Sequence, residues 1–417
     1  MARELNAASI PRGWTYGLLD DYAERCSGHT PSKSHPEYWN GGIKWISLAD
    51  TFRLDNGLVK ETDKEISDLG IQNSSAQLHP AGTVVLSRDA GIGKSGVMAE
   101  PMAVSQHFIA WKCDANKKLH NWYLYNWLQL HKPEFERQAV GSTIKTIGLP
   151  YFKKLKIAAP SYEEQRKIAQ ILSTWDKAIS TTEKLIETSK QQKKALIQQL
   201  LTGKKRLVNP ETGKAFEGEW IETTMASLFS VSTGKSKSKF ISDAGQYLIV
   251  DMGSISREGK LIASKKTSHD SDFLSLGQLV MPKDDIGGGQ IIGRTAHIPE
   301  SGKFILSDHV YLLEPKTVNS LFVNYLINSW EVNKQLRSKA NGTAQLGLGK
   351  KDVEKQKLVV PKSLQEQQKI ASVLTAVDNE IEVLEAKLAH FKQEKKALMQ
   401  QLLTGKRRVK VDEDVAA

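Results

Sequence analysis

The chain has 417 residues, too many for one ordinary domain and enough for two with long helices between them, and 40% are hydrophobic, adequate for real cores. Lys and Arg outnumber Asp and Glu by 58 to 47, and the net charge of +11 favours a polyanionic partner without identifying one. No apolar run approaches a membrane span, MARELNAASIPRGW has no apolar signal segment, and two cysteines, Cys26 and Cys113, give neither a disulfide framework nor a metal cluster, so a reducing cytoplasm is expected.

Residues 1–160 read as a first globular unit. Trp14, Tyr16 and Leu18 open it, and the polar, Gly/Pro-rich loop SGHTPSKSHPEYWNGG (27–42) leads into a strand, IKWISLAD (43–50). GTVVLS (82–87) is a β-branched strand, RDAGIGKSG (88–96) a glycine-rich loop, VSQHFIAW (104–111) a further strand and NWYLYNWLQLH (121–131) a helix. A polar turn and a strand, GSTIKTIGLPYFKKLKIAAP (141–160), close the unit. Residues 161–205 follow as a long helix.

Residues 206–361 repeat this order in weaker form. Trp220 and Leu228 stand at the opening, STGKSKSKF (232–240) at the first loop and YLIVDMGSI (247–255) at the first strand. GQLVMPKDDIGGGQIIGRT (277–295) matches the strand and glycine-rich loop, LSDHVYLLEP (306–315) the next strand, LFVNYLINSW (321–330) the helix and NGTAQLGLGKKDVEKQKLVVP (341–361) the closing segment. A second long helix occupies residues 362–408, and the acidic tail 409–417 reads as disordered.

The two helical stretches are nearly the same sequence. From Glu164/Glu366 to Arg206/Arg408, at a constant offset of 202, 23 of 43 positions are identical, so the chain is a tandem duplication. Ser161 and Ser363 stand three residues before Glu164 and Glu366 as capping boxes, and Gly203 and Gly405 supply the left-handed residue that ends each helix.

Between these ends the second copy places Ile370, Leu374, Val377, Ile381, Leu384, Leu388, Phe391, Leu398 and Leu402 on a coiled-coil seam, broken by Lys395. In the first copy Ile168, Leu172, Trp175, Ile179, Ile186, Leu196 and Leu200 keep the register, but Thr182, Ser189 and Lys193 also fall on it and leave the pairing there open. Forty-three residues make a rod of roughly 60 Å, which needs a partner along its length, and the nearest is its own duplicate. The expected fold is therefore α+β: two mixed α/β domains related by a pseudo-twofold repeat and joined by two long antiparallel coiled-coil helices.

Few motifs carry chemistry. GIGKSG (91–96) has the letters of a dinucleotide loop, but VMAEPMAVSQHF follows it instead of a helix, so a hairpin loop is the better reading. TGKS (233–236) and TGKK (202–205) lack the earlier glycine of a phosphate loop, and no Asn-Pro-Pro-Tyr or Asp-Pro-Pro-Tyr run is present to hold a flipped base for methyl transfer. His107 and His309 fall in predicted strands and read as structural, and no metal-ligand spacing occurs.

The basic loops say more. Lys33, Ser34 and His35 in the first loop, Arg88, Lys94 and Ser95 in the second, and Ser142, Thr143 and Lys145 in the closing turn are matched by Lys235, Lys237, Lys239, Lys283, Arg294, Thr343 and Gln345. Mobile cations suit phosphates, and Arg, Gln, Ser and Thr can read base edges. A solvated surface would explain either set alone. Finding it at equivalent places in two diverged copies favours DNA contact. Lys193, Lys194, Lys204, Lys205 and Arg206, with their second copies, sit where the helix dipole favours cations.

The alternation of variable unit and long helix resembles the specificity subunit (HsdS) of type I restriction–modification systems. The likeness is carried by PSYEEQRKIAQIL and KKALIQQLLTGK, by PKSLQEQQKIASVL and KKALMQQLLTGK, and by the turns at Gly141–Ser142 and Gly342–Thr343. It implies two target-recognition domains, each reading half of a split, asymmetric DNA site, with the helices as spacer and as the dock for two methyltransferase subunits. It further implies no catalysis and no cofactor in this chain. S-adenosylmethionine would act on the methyltransferase partners, and ATP and Mg on a translocase subunit that cuts DNA. From the residues alone two other readings stay open: a coiled-coil adaptor with incidental basic loops, and a stand-alone DNA methyltransferase, against which the missing motifs count.

Overall fold

The structure is a computed structural model that describes residues 10–114, 116–141, 145–342 and 345–411. It divides into two compact units, Met1–Glu183 with Ala386–Ala417, and Lys184–Glu385. Each long helix, Tyr162–Leu200 and Leu364–Leu402, contributes one part to each unit.

In the first unit the strand Thr15–Leu18 pairs antiparallel with Lys156–Ala159, so the globular domain closes by joining its first strand to its last. Its main sheet runs Glu24–Ser27, Phe108–Lys112, Val84–Ser87, Ser95–Met98, Leu58–Val59. A smaller sheet joins Lys64–Ile66, Trp39–Ile46 and Ala103–Val104. The strand Val84–Ser87 is buried on both faces: Val84 and Leu86 meet Tyr123, Leu128 and Phe135 of the helix Asn121–Gln138, and Val85 meets Ile46 and Phe108. Side chains alternate along a strand, so two-sided burial demands the unbroken apolar run seen there.

The second unit has the same plan. Trp220–Thr224 pairs with Lys357–Pro361, and the main sheet runs Phe229–Thr233, Val310–Pro315, Leu279–Pro282, Ala296–His297. Its smaller sheet holds Lys266–Thr267, Tyr247–Val250 and Phe304–Leu306.

Several expected elements change shape. The segment 104–111 is two strands, Ala103–Val104 in the small sheet and Phe108–Lys112 in the main one, split by a turn in which Phe108 N donates to Ser105 O. The segment 306–315 divides in the same way, into Phe304–Leu306 and Val310–Pro315. His107 and His309 consequently stand in the turns, not in strands. The strand expected at 43–50 is Trp39–Ile46, because Ser47 and Asp50 cap a short helical turn after it. The helix expected at 121–131 continues through Pro133 to Gln138, where Phe135 is fully buried. The helix expected at 321–330 is two helices, Ser320–Asn328 and Trp330–Arg337. Each closing segment holds a short helix, Leu149–Lys154 or Lys350–Glu354, before its strand. The glycine-rich loop at 91–96 is a hairpin turn between antiparallel strands, as read from the sequence.

The capping boxes are half formed. Ser161 and Ser363 accept from the backbone N–H of Glu164 and Glu366, but the two carboxylates turn elsewhere. Arg408 donates to both oxygens of Glu164 at 2.8 and 2.6 Å, and Arg206 to both oxygens of Glu366 at 2.5 and 2.7 Å. These arginines, expected to complement a helix dipole, therefore clasp the first turn of the opposite helix. The next residue ties that turn to the domain: Gln165 accepts from His120 N and donates to Pro160 O, and Gln367 accepts from Asn319 N and donates to Pro361 O. At the helix ends Gly203 and Gly405 take φ of +68°, and a Cβ on either would lie 3.1 Å from the ring of Trp220 or Trp14.

Within each unit the helix segments run antiparallel. In the first, Lys395 reaches Asp176 at 2.5 Å and the rings of Trp175 and Phe391 meet edge-on at 5.6 Å. In the second, Lys193 reaches Asp378 at 2.6 Å. The polar break in each seam is thus an ion pair with the other helix, while Thr182 and Ser189 are buried and the Thr182 hydroxyl donates to Ala178 O. Seam residues near the helix ends join domain cores as well: Ile168, Leu172, Leu398 and Leu402 in the first unit, Leu196, Leu200, Ile370 and Leu374 in the second. Ile381 is buried, and Ile179, Val377, Leu384 and Leu388 are half-buried.

Breaking a clasp strands a buried carboxylate. Arg408→Ala or Arg206→Ala should each cost about 2–3 kcal/mol in urea unfolding, with lysine restoring only part because it lacks the bidentate fork. Lys392→Ala, which removes an exposed pair with Glu183, should change stability by less than about 1 kcal/mol.

Candidate nucleic-acid interface

Both units build the same junction at the end of the central strand of the main sheet. In the first, Arg88 follows Val84–Ser87, its N–H donates 3.0 Å to His107 O, and its carbonyl accepts 2.9 Å from Ile147 N. In the second, Lys283 follows Leu279–Pro282, its N–H donates 2.8 Å to His309 O, and its carbonyl accepts 2.9 Å from Leu348 N. A cation is therefore pinned between a histidine turn and the closing turn in each unit. The closing turns are themselves bridged, Val140 with Thr146 and Asn341 with Gly347.

The residue after each cation is an aspartate. Asp89 Oδ2 lies 2.5 Å from His107 Nδ1, and its other oxygen accepts from the Thr146 hydroxyl. Asp284 Oδ2 lies 2.6 Å from His309 Nδ1. Sequence reasoning passed over both histidines as strand residues. Their signal was the repeat itself, since the offset of 202 superposes His107 on His309.

The expected contact residues fall into three groups. Lys33, Ser34, Lys145, Lys235, Lys239, Lys283 and Gln345 are exposed. Lys33 lines a hollow of about 320 Å³ with Trp39, Asn40 and Lys64, and Ser34 Oγ lies 2.7 Å from Ser32 Oγ. Arg88 and Lys94 are half-buried, Lys94 donating to Thr51 O.

Three others are committed to the interior. Ser95 is fully buried, its hydroxyl accepting from Gln129. Lys237 is 4% exposed, bound to Asp272 at 2.5 Å, and that hydrogen bond holds the Asp272 carboxyl below its usual range. Arg294 donates 2.7 Å to Asn328 O, and burial lowers its guanidinium pKa. Such groups hold their own domain together, and using them on DNA would break those bonds. Ser142, Thr143 and Thr343 lie outside the described residues.

Among the described residues no group of three His, Cys, Asp or Glu side chains could hold a metal ion, and no helix is long and apolar enough to cross a membrane. Cys26 and Cys113 are free, and burial pushes both thiols up, away from reactivity.

The type I restriction modification DNA specificity domain matches this chain twice, over residues 11–191 and 217–393. The chain belongs to that specificity family. A relative of full length is the specificity subunit of the type I restriction enzyme MjaVIII of Methanocaldococcus jannaschii, 27% identical over 98% of this chain and 96% of its own. The specificity subunit of EcoR124I/EcoR124II from Escherichia coli is 29% identical over 38% of this chain and 40% of its own. In fold it is similar to the crystal structure of the type I S subunit from M. genitalium, with TM-score 0.62, 16% identity, and coverage of 96% of this chain and 97% of that one. Its place in that family makes it a DNA-specificity protein of the type I restriction–modification class.

If Arg88 and Lys283 touch phosphate, Arg88→Ala and Lys283→Ala should each make the slope of log affinity against log salt shallower by about 0.9. Arg294→Ala should leave that slope unchanged and lower thermal stability instead. Fluorescence anisotropy with duplex DNA over a salt series, beside thermal unfolding, separates the two.

Proposed function

We propose that each unit of this specificity subunit reads one half of a split, asymmetric DNA site, and that the long helices dock two methyltransferase subunits and set the spacer between the halves. The observation that carries the reading is a scaffold built twice with different loops. Strand order, the pinned cation and the closing turn recur in both units. The residues on that scaffold do not: the pinned cation is Arg88 in one unit and Lys283 in the other, Lys145 of the first closing turn has Leu346 in its place, and Lys33 has Lys235 and Lys239. Conserved framework with divergent contact surface is the condition for two unrelated recognition events.

The partners would supply what this chain lacks. S-adenosylmethionine chemistry on adenine falls to the methyltransferase subunits, and ATP- and Mg-dependent translocation and cleavage to a restriction subunit, in the cytoplasm where the chromosome lies. The spacer role draws support from the helices, each unbroken over 39 residues and shared between the units. A helix changes length only in steps of 1.5 Å per residue, so it fixes a distance that loops cannot.

Co-expression with a methyltransferase partner, followed by single-molecule mapping of methylated adenine, should return two short, unrelated half-sites around a fixed gap. A continuous motif, or no methylation from an assembled complex that binds S-adenosylmethionine, would sink the two-domain reading. Removing one whole turn from both long helices together should shorten the tolerated gap; an unaltered gap rules out the ruler.

A further inference from the structure

The cation junction contains a pair of side chains that DNA recognition by the loops does not require. In each unit a histidine ring stands at the surface with Nδ1 against an aspartate that is nearly buried. The His107 side chain is 36% exposed and Asp89 11%, and the His309 side chain is 49% exposed and Asp284 13%. The carboxylate points inward and the ring outward. An ionised carboxylate only accepts hydrogen bonds, so it keeps the proton on Nδ1 and leaves Nε2 as the outward atom.

A purely structural role explains little of this. The strands are already joined by the backbone bonds from Arg88 N to His107 O and from Lys283 N to His309 O. Rings this exposed add little to a core. His309 moreover holds φ of +62°, a conformation uncommon for a residue with a side chain and retained where the surroundings dictate the placement. Loops around the junction have diverged between the units, yet the cation, the aspartate and the histidine remain, although the spacing from aspartate to histidine differs.

We propose that His107 and His309 are DNA contacts, each donating from Nε2 of the protonated ring to a backbone phosphate, with Asp89 and Asp284 as positioning residues. The inference rests on the reading that both units bind duplex DNA. The charged groups facing His107 are Asp89 and, through Asp89, the Arg88 guanidinium, whose Nε lies 3.6 Å from the same carboxylate. Those facing His309 are Asp284 and Asp308, the latter 3.8 Å from Nε2, with Lys283 on the adjoining strand end. Phosphate must therefore displace Asp308 from His309, whereas His107 has no second carboxylate among its ion pairs in the described residues. His107 should contribute more.

The test uses the assembled complex of this chain with its methyltransferase subunits and a duplex carrying the mapped site, over a salt series at constant pH. His107→Gln with His309→Gln, which keeps a neutral donor, should bind several-fold more weakly than wild type and make the salt slope shallower by about 1 to 2. Asp89→Asn should weaken binding without abolishing it, and Asp308→Asn, which frees Nε2 of His309, should strengthen it. Assembly and thermal unfolding of each variant show that it is folded; if the double variant fails to assemble, His107→Gln alone carries the test, with a slope shallower by about 1. An unchanged affinity and salt slope in a folded glutamine variant overturns the inference while leaving half-site reading intact. A wild-type complex that binds no DNA overturns both.

Discussion

Two buried carboxylates, Glu164 and Glu366, constrain the rest of this molecule. Each sits in the first turn of a long helix, 2% and 1% exposed, and a charge held out of water is tolerable only with a hydrogen-bonded counter-charge against it. That counter-charge comes from beyond the end of the other helix, Arg408 for Glu164 and Arg206 for Glu366. Neither helix can settle on its globular domain without the last turn of its duplicate. Gln165 and Gln367 join the same first turn to the domain, and Trp14 and Trp220 cover the glycines that end the helices. These contacts thus converge on the two stretches that the chain repeats at 23 of 43 positions.

What was legible in the sequence follows from how local each signal is. The long helices declare themselves through period, a serine at one end and a glycine at the other, and their polar interruptions become intelligible once Lys193 meets Asp378 and Lys395 meets Asp176. The same sequence gives Glu164 a capping role because its true partner lies 244 residues away. The segment 104–111 reads as one strand since both halves are apolar and the intervening turn, Ser105 to His107, contains neither glycine nor proline.

The site was less legible for a related reason. Lys235, Lys237 and Lys239 alternate in one loop and look alike, but the middle one is drawn inward by Asp272, which no spacing rule connects to it. Ser95 is polar in letter and interior in fact, because it begins the strand that the hairpin returns to the sheet. His107 and His309 look unremarkable singly and become a pattern only when the duplication superposes them.

The pairing of Thr15–Leu18 with Lys156–Ala159, and of Trp220–Thr224 with Lys357–Pro361, brings the entry and exit of each globular domain side by side. Everything between those two strands hangs from a single doorway, and the helices beyond it present the same first turn whichever domain is attached. A gene segment exchanged between the two doorposts would bring in a complete foreign domain while leaving the frame that receives it unaltered. New specificity can then arise by inheritance of whole modules, through recombination inside the repeated sequence, with no need to pass through intermediates whose cores are half rebuilt.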